Sequence, residues 1–306
     1  MVSHAKNATF LFNRDFMEYH KDRFQDASVM VFKGDKLMAL FPANQVNDTV
    51  YSHQGLTYGG LILNSKLKLN SVLEIFKNVI KFYKSQGFKN LEVKIIPNIY
   101  NNLPSDELLY LSFLVDAELL KRDTLSVVTI DNKLPYNKDR VNGIKRAKKH
   151  NLVIKEDDEF DDFWNTILIP NLKNKHEVLP VHSLDEIKLL KQRFPKNIMQ
   201  FNVYHGDKLV AGTTIFITKQ VAHSQYISAN TNKNSLGSLD YLHDYLLNTV
   251  FKDKRYFDFG ISNENNGRKV NSGLQYWKEG FGARTVVQDF YRIKLDNYKK
   301  LENVFI

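Results

Sequence analysis

The sequence predicts an α/β fold built from two similar halves, each a mixed, mostly antiparallel sheet with helices on both faces. Three observations support this prediction. The 306 residues exceed the usual size of one hydrophobic core. The tetrapeptide GDKL occurs at residues 34–37 and again at 206–209, each time between apolar runs. The same order of predicted elements then follows each copy, which indicates one fold used twice.

In the first half, VFKGDKLMALF predicts a hairpin whose turn is made by Gly and Asp in backbone conformations that most residues avoid. TVYSHQGLTYGG predicts a second extended run. SVLEIFKNVIKFYKSQG predicts a helix with a capping box at Ser71 and Glu74 and a stop at Gly87. LEVKIIP predicts the strand that closes this half.

The second half begins with an extended run, LVIKEDD, and two helical stretches, of which the second has a capping box at Ser183 and Glu186. The second GDKL hairpin is followed by the strand VAHSQYISA, the polar loop NTNKNSLG, the helix SLDYLHDYLLNTVF and the strand YFDFGIS. We place the domain boundary near Tyr136, which predicts domains 1–135 and 136–306. The basic helix YNKDRVNGIKRAKKHN at this joint is either a solvated linker or a phosphate-contacting segment.

Composition limits the classes of function. Hydrophobic residues make up 43% and charged residues 25% of the chain, and no apolar run approaches the ~20 residues that cross a bilayer. We identify no secretory signal and expect a cytoplasmic protein. The absence of cysteine excludes disulfides and thiolate chemistry. The net charge of +9 favours an anionic partner such as a nucleotide, a phosphorylated carrier, nucleic acid or an anionic lipid surface, or it is simply a solvated basic surface.

The order strand, two helices, three antiparallel strands, helix and strand resembles the GNAT acyltransferase superfamily. Two tandem copies resemble the Fem-type peptidyltransferases and related FemAB-like acetyltransferase-like proteins. The similarity is strongest in HSQYISAN at 223–230, GSLDYL at 237–242 and the segment at 256–284, and SHQGLTYGG at 52–60 and HEVLPVHSLDEI at 176–187 also look like family segments. The resemblance implies transfer of an acyl or aminoacyl group to an amine, with the donor between two splayed parallel strands.

The predicted catalytic pair is His223 and Asp258, which lie on adjacent strands of the second half. Strict alternation along VAHSQYISA places His223, Gln225 and Ile227 on one face of the strand, and Ser224, Tyr226 and Ser228 on the other. His223 is the candidate base for the attacking amine and Asp258 its orienting carboxylate. The alternative is a hydrogen-bonded structural pair.

The donor is expected where the loop NTNKNSLGS enters a helix, because a helix N-terminus favours phosphate. This loop has one glycine, whereas GNAT proteins that hold coenzyme A usually show Arg/Gln-x-x-Gly-x-Gly/Ala, so an acyl-CoA such as acetyl-CoA and an aminoacyl-tRNA both stay open as donors. Gly-Ser at a helix start is otherwise a plain cap. The candidate donor-binding residues are Lys233, Leu236, Gly237, Ser238, Lys278 and Arg284.

The acceptor is expected to contact polar and aromatic residues of both halves. LEVKIIP lacks the aspartate of YFDFGIS, so we expect the donor only in the second half and an acceptor surface in the first. His176, Glu177 and His182 do not have the spacing of metal ligands on one helix, and Pro180 would interrupt a helix between them. We therefore expect no metal. The candidate acceptor-binding residues are His53, Gln54, Tyr58, His176, His182, Gln225 and Asn271.

Two classes of function fit these patterns. The first is an N-acyltransferase that uses an acyl-CoA-type donor and acts on an amine carried by a small molecule, a sugar nucleotide, a peptide or another envelope precursor. Within this class, an aminoacyl-tRNA-dependent Fem-like transferase is the alternative. The second class is a non-catalytic protein that binds a ligand on the same fold.

Overall fold

The computed structural model describes the backbone of residues 1–306 and every side chain except those of Lys175 and His176. In chain order its strands are β1 (Gln25–Asp26), β2 (Val29–Lys33), β3 (Lys36–Phe41), β4 (Asn44–Val46), β5 (Thr49–Tyr51), β6 (Ile62–Leu63), β7 (Asn90–Lys94), β8 (Glu118–Thr129), β9 (Val153–Asp157), β10 (Ile198–His205), β11 (Lys208–Ile217), β12 (Val221–Ala229), β13 (Tyr256–Ile261), β14 (Asn263–Glu264), β15 (Lys269–Val270) and β16 (Arg284–Lys294).

The α-helices are α1 (Arg14–Met17), α2 (Leu69–Ser85), α3 (Glu107–Leu114), α4 (Lys138–Lys149), α5 (Asp161–Phe163), α6 (Ile169–His176), α7 (Leu184–Arg193), α8 (Lys233–Leu236), α9 (Ser238–Tyr245) and α10 (Ser272–Glu279). A π-helical segment, Trp164–Leu168, joins α5 to α6, and another, Leu246–Val250, extends α9. Short 3₁₀ turns are formed by Val2–His4, Phe10–Phe12, Glu18–Arg23, Asn98–Tyr100, Ile130–Asn132 and Leu295–Leu301. No helix of the described residues is long and apolar enough to span a membrane.

The chain forms two compact units. Unit 1 contains residues 1–123 and 287–306, and unit 2 contains residues 124–286. The predicted division after residue 135 lies twelve residues beyond the first change of unit and assigns 287–306 to the other domain. The C-terminal segment belongs to unit 1 because β16 pairs antiparallel with β7, from Phe290 opposite Lys94 to Lys294 opposite Asn90.

Unit 1 has the strand order β1-β4-β5-β7-β16 and a second sheet, β2-β3-β6. Strands β5 and β7 are parallel, and helix α2 buries its apolar face in the core. The helix begins at Leu69 with Lys68 as N-cap, so the predicted capping box at Ser71 and Glu74 is wrong. The predicted stop is confirmed, because Gly87 has a φ of +90° just after the helix ends.

Unit 2 has the strand order β8-β13-β12-β11-β10-β9, in which β12 and β13 are parallel and the other neighbours antiparallel. Helices α4 and α9 lie against each other, and the capping box of Ser183 and Glu186 at the start of α7 is confirmed. The predicted fold class, a mixed and mostly antiparallel sheet with helices in each of two units, is therefore confirmed.

Both GDKL copies form the predicted hairpin turns, between β2 and β3 and between β10 and β11. Gly34 and Gly206 have φ values of +57° and +58°, the left-handed region that glycine enters without steric cost. Neither Asp35 nor Asp207 has a positive φ, so the unusual backbone angles belong to the glycines alone.

Candidate active site

A cleft opens in unit 2 where the parallel strands β12 and β13 separate. They pair over three residues only, ending with His223 opposite Asp258. Beyond this point each strand carries a bulge. On β12 the residues opposite Thr214 and Ile215 are Tyr226 and Ser224, which leaves Gln225 as the inserted residue. On β13 the register with β8 shifts between Asp258 and Ile261. Bulges bend strands, so the two together account for the separation.

Lys278 of α10 stabilises the bent end of β13. Its ammonium donates to the carbonyl oxygens of Gly260 and Ile261, at 3.1 and 2.6 Å. Gly260 has a φ of +71°, and its amide donates to Oδ1 of Asp258 at 2.7 Å. Burial lowers the pKa of Lys278 to about 8, against an opposing effect from the charge of Asp258. This lysine therefore fixes the end of the strand and also lines the adjacent cavity.

The cleft encloses a cavity of about 900 Å³ that lies wholly within unit 2. Helix α4, helix α6, strand β12 beyond the bulge, the α8–α9 region, the end of β13 and helix α10 all contribute to its wall. The charged side chains of the wall are Asp139, Arg140, Arg146, Lys233, Asp240 and Lys278. A cavity of this size with polar groups on several sides is typical of a small-molecule site.

His223 and Asp258 form a pair at the base of the cleft. Nδ1 of His223 lies 3.0 Å from Oδ2 of Asp258, and the carboxylate is fully buried while 14% of the His223 side chain is exposed. Because Oδ1 of Asp258 accepts from the amide of Gly260, both carboxylate oxygens are engaged. The pair leaves Nε2 as the ring atom that faces away from the carboxylate. This is the arrangement of a histidine base oriented by an acid.

The bulge corrects the predicted alternation along β12. Phe216 is opposite His223 and Thr214 is opposite Tyr226, so His223 and Tyr226 share a face of the sheet. Ser224 and Ile227 share the other face for the same reason, since their partners are Ile215 and Thr213. Strict alternation fails because the extra residue, Gln225, reverses the side of each residue after it.

Tyr226 links two of the predicted acceptor residues. Its hydroxyl lies 2.7 Å from Nδ1 of His182 and accepts from the His182 amide at 3.2 Å. Burial raises the pKa of Tyr226 to about 12. The side chain of Gln225 interacts with this hydroxyl in the sense that lowers its pKa. His182 and Gln225 are thus brought together next to the cavity, through a tyrosine that the sequence analysis did not select.

The predicted donor loop contributes less than expected. Lys233 lines the cavity, whereas Leu236 and Ser238 are buried away from its wall. Gly237 has a φ of +69°, and a Cβ there would lie 2.0 Å from the carbonyl oxygen of Gly143. The glycine therefore permits the close approach of α4, where we had expected the approach of a ligand.

Lys278 and Arg284 are both predicted to bind the donor. Lys278 lines the cavity, but it is only 2% exposed and its ammonium is bound to two carbonyl groups. Arg284 donates to the carbonyl oxygen of Ala283 and is absent from the cavity wall. Asn271 is the N-cap of α10, accepting from the Leu274 amide at 3.0 Å, and it also lines the cavity.

The predicted acceptor residues of unit 1 do not form an open site. The hydroxyl of Tyr58 bonds that of Thr9 in the core, and Gln54 exchanges hydrogen bonds with Asn44. His53 is buried against His20, beside a cavity of about 50 Å³. The side chain of His176 lies outside the described residues.

Helix α4 supplies site residues that the sequence analysis left undecided. Arg140 donates to Oδ1 of Asp240 at 2.9 Å, and Nε1 of Trp277 donates to the same oxygen at 2.9 Å. Gly143 faces this carboxylate, since a Cβ there would lie 1.7 Å from Oδ2. Arg146, one turn from Gly143, is exposed and lines the cavity. The sequence signal for this contact was Gly143, because a glycine within a helix often marks a close packing contact.

Among the described residues, no group of three or more His, Cys, Asp or Glu side chains is placed to hold a metal ion.

Comparison with known proteins identifies the fold. No family model and no curated protein sequence matches the chain. Among solved structures, FemX is similar with a TM-score of 0.67 at 10% identity, over 94% of this chain and 93% of FemX. The C-terminal domain of a putative lysylphosphatidylglycerol synthetase from Agrobacterium fabrum is similar with a TM-score of 0.58 at 10% identity, over 90% of this chain and 87% of that one. The lysylphosphatidylglycerol synthetase of Bacillus licheniformis gives a TM-score of 0.53 at 13% identity, over 88% and 84%.

These likenesses confirm the predicted GNAT-like fold with Fem-type similarity. At identities of 10–13% they show the fold alone.

Proposed function

We propose that this protein is an N-acyltransferase that binds an acyl donor in the cleft of unit 2 and transfers the acyl group to a cytoplasmic amine. One observation carries the proposal: the His223–Asp258 pair lies where β12 and β13 separate, directly before the residues that line a cavity of about 900 Å³. The splayed strands provide room for a donor, and the pair provides a base beside it.

The pair has the chemistry that acyl transfer to an amine needs. The amine must lose a proton as it attacks the donor carbonyl, and Nε2 of His223 accepts that proton while Asp258 stabilises the charged ring. Collapse of the tetrahedral intermediate breaks the bond between the acyl carbon and its carrier. His223 then returns the proton to the departing sulfur or oxygen, so the histidine ends the cycle neutral.

The cations of the wall fit the carrier. Arg146 of α4 and Lys233 of α8 both line the cavity. Acyl-CoA and aminoacyl-tRNA both carry phosphate, which such side chains bind. Because Gly237 packs closely against Gly143, it does not support a glycine-based phosphate loop that would favour coenzyme A. Both donors therefore stay in the proposal.

Calorimetric titration of coenzyme A, acetyl-CoA and aminoacyl-tRNA tests the donor. We expect one carrier to bind wild-type protein, and the double variant Arg146→Glu, Lys233→Glu to bind it at least ~10-fold more weakly, with a smaller difference at high salt. Products of incubation with a mixture of amines are then identified by mass spectrometry. Binding of a carrier without any acylated amine would favour the non-catalytic binding function, and absence of any binding would contradict the proposal.

A further inference from the structure

The wall of the cavity in unit 2 includes large apolar side chains that the fold leaves exposed. Tyr276 is 55% exposed, Leu274 40% and Ile261 39%, and all three line the cavity. Single exposed apolar residues are common on protein surfaces, but several in one cavity wall indicate a surface that a ligand covers. Tyr276 has the largest exposed fraction of the three, and it is the aromatic one.

A hydrogen bond fixes the exposed ring of Tyr276. Its hydroxyl donates to Oδ2 of Asp139 at 2.8 Å, which joins α10 to α4. This hydrogen bond raises the pKa of Tyr276, so the hydroxyl keeps its proton and remains the donor. A ring that is already fixed loses little freedom when a ligand packs on it, which favours a planar group stacked on its face.

Helix α4 presents polar groups to the same cavity. Asp139, Asn142 and Arg146 are all exposed, and all three line the cavity. Their spacing of three and four residues places them on one face of the helix, with Asn142 between the carboxylate that holds Tyr276 and the guanidinium. The carboxamide of Asn142 offers an N–H donor beside a carbonyl acceptor, which complements the N7 acceptor and N6–H donor of adenine. The guanidinium of Arg146 is suited to phosphate.

We propose that Tyr276 and Asn142 form a subsite for the adenine of the donor's carrier, in which the Tyr276 ring stacks on the base and the Asn142 carboxamide binds its N6–N7 edge. This inference rests on the proposed acyl transfer, because coenzyme A and the 3′ end of tRNA both carry adenosine. The ring, the carboxamide and the Arg146 guanidinium then contact three parts of one nucleotide, which are the face of the base, its edge and a phosphate.

A second exposed tyrosine of unit 2 provides a matched control. Tyr245 lies at the end of α9, is 37% exposed and is not part of the cavity wall. If loss of an exposed ring weakened carrier binding through stability alone, Tyr245→Ala and Tyr276→Ala would act alike.

Calorimetry with two pairs of probes tests the subsite. Coenzyme A is compared with its guanine analogue, and a tRNA transcript that ends in CCA is compared with the same transcript ending in CCG, so each pair differs in one base alone. The affinity of each probe is measured for wild type, Tyr276→Ala, Tyr276→Phe, Asn142→Ala and Tyr245→Ala. Thermal unfolding checks that each variant is folded, and Tyr276→Leu replaces Tyr276→Ala if that variant is not.

On the carrier that binds, we expect wild type to prefer adenine over guanine by about 10-fold, because an asparagine side chain paired with the adenine edge discriminates bases to this extent. Asn142→Ala should lose most of this preference. Tyr276→Ala should weaken the binding of both bases by about 10-fold, because every base has a face that can stack on an aromatic ring. Tyr276→Phe keeps the ring and should lose less, and Tyr245→Ala should bind like wild type.

Equal affinity of wild type for the two bases would overturn the inference. A preference for adenine that survives in Asn142→Ala would also overturn it, as would equal binding by wild type and Tyr276→Ala. In each of these cases a carrier still binds, so the proposed acyl transfer stands. Failure of both coenzyme A and the CCA-ending tRNA to bind would contradict the proposed function itself.

Discussion

Each unit contains one pair of parallel strands, and the space beside this pair is open in unit 2 but filled in unit 1. In unit 2, β12 and β13 pair over three residues and then enclose a cavity of about 900 Å³. In unit 1, β5 and β7 also pair over three residues, but the cavity beside them is about 50 Å³. One strand arrangement therefore gives an open cleft in one unit and a filled one in the other.

The segment after β5 fills the cleft of unit 1. The amide of Ser52 donates to the Glu92 carbonyl oxygen at 2.8 Å, and the amide of Gly59 donates to the carbonyl oxygen of Lys94 at 2.8 Å. The ammonium of Lys94 donates to the carbonyl oxygens of Gln54 and Leu56. The edge of β7 is thus satisfied by the chain itself, whereas β12 of unit 2 continues along β11 and lines the open cleft.

The last paired residues show the chemical side of the comparison. His223 is opposite Asp258 in unit 2, and Tyr51 is opposite Glu92 at the corresponding position of unit 1. The carboxylate of Glu92 is held by Arg292 at 2.6 Å, so it has a structural partner. A carboxylate is present at both positions, and only one has a histidine to orient.

The largest expected effect is on catalysis. His223→Ala should lower turnover about 100-fold or more with donor affinity little changed, because general base catalysis is typically worth that much. Asp258→Asn should lower turnover too, and its effect should not add to that of His223→Ala, since the two act as a unit. Steady-state rates of acyl transfer measure both. Glu92→Gln is the matched variant of unit 1 and should leave turnover unchanged. Full turnover in His223→Ala would assign the histidine to structure.

The filled cleft of unit 1 should depend on one glycine. A Cβ at residue 59 would lie 2.0 Å from the Ser52 carbonyl oxygen, so Gly59→Ala forces the segment away from β7. We expect a loss of about 2 kcal/mol in the free energy of unfolding, as for other overpacked sites. Urea denaturation measures it. Gly273→Ala is the control, because its new Cβ meets nothing closer than 3.8 Å, and equal stability of the two variants would refute this account of the filled cleft.

Filling the open cleft should make unit 2 resemble unit 1. Ile227 is half-buried and lines the cavity, so Ile227→Trp places a large ring where the donor is proposed to lie. We expect donor affinity to fall about 10-fold, equivalent to ~1.4 kcal/mol. Leu120→Trp, beside the small cavity of unit 1, should leave donor affinity unchanged. Calorimetry measures the donor affinity of both variants. A loss of affinity in the Leu120 variant alone would place the donor in unit 1 and contradict the proposed site in unit 2.

The smallest expected effect concerns pH. Burial lowers the pKa of His243 in unit 2, and that of His53 in unit 1, to about 4. The unfolded chain, with a histidine pKa near 6.5, binds more protons than the folded chain between pH 4 and 6.5. Stability therefore rises with pH across this window and is lost as pH falls through it. From pH 7 to 5.5 we expect each histidine to cost about 1 kcal/mol of unfolding free energy.

His243→Phe and His53→Phe separate the two contributions. His243 is surrounded by the rings of Phe257, Phe259 and Trp277, which a phenylalanine would also contact. Urea denaturation at the two pH values should show a smaller pH dependence in each variant than in wild type. An unchanged dependence in the His243 variant would mean that the pKa of this ring is the same in the folded and the unfolded chain.

Much of the fold was predictable because its signals are local. Ser183 and Glu186 form their capping box within one helical turn, and Gly34 and Gly206 turn their hairpins within four residues. The pairing of His223 with Asp258 followed from placing two strands side by side, although the catalytic role of the pair stays a prediction. The capping box at Ser71 was wrong because the same helix has an earlier start at Leu69, and competing starts a few residues apart have similar local signals.

The rest of the site was not predictable because it depends on contacts between distant residues. The bulge at Gln225 reverses the faces of Tyr226 and Ile227, and it exists only against the register of β11. Gly237 reads as a phosphate-loop glycine in the sequence, but its conformation accommodates Gly143, which is 94 residues away. Lys278 looks like an exposed cation, yet folding buries it against two carbonyl groups.

The sequence by itself determined that this chain forms two related units and that a histidine and a carboxylate meet on adjacent strands of the second. Repeats, caps and alternation are patterns of residues close together in the sequence, so they can be recognised without knowing how the chain packs. Only the tertiary structure decided which of the two strand pairs stays open. In unit 1 the residues after β5 satisfy the free edge of β7, and in unit 2 two bulges and the buried Lys278 hold the strands apart. Backbone groups must find partners within the fold, and which chain segment supplies them depends on geometry that a linear pattern does not contain.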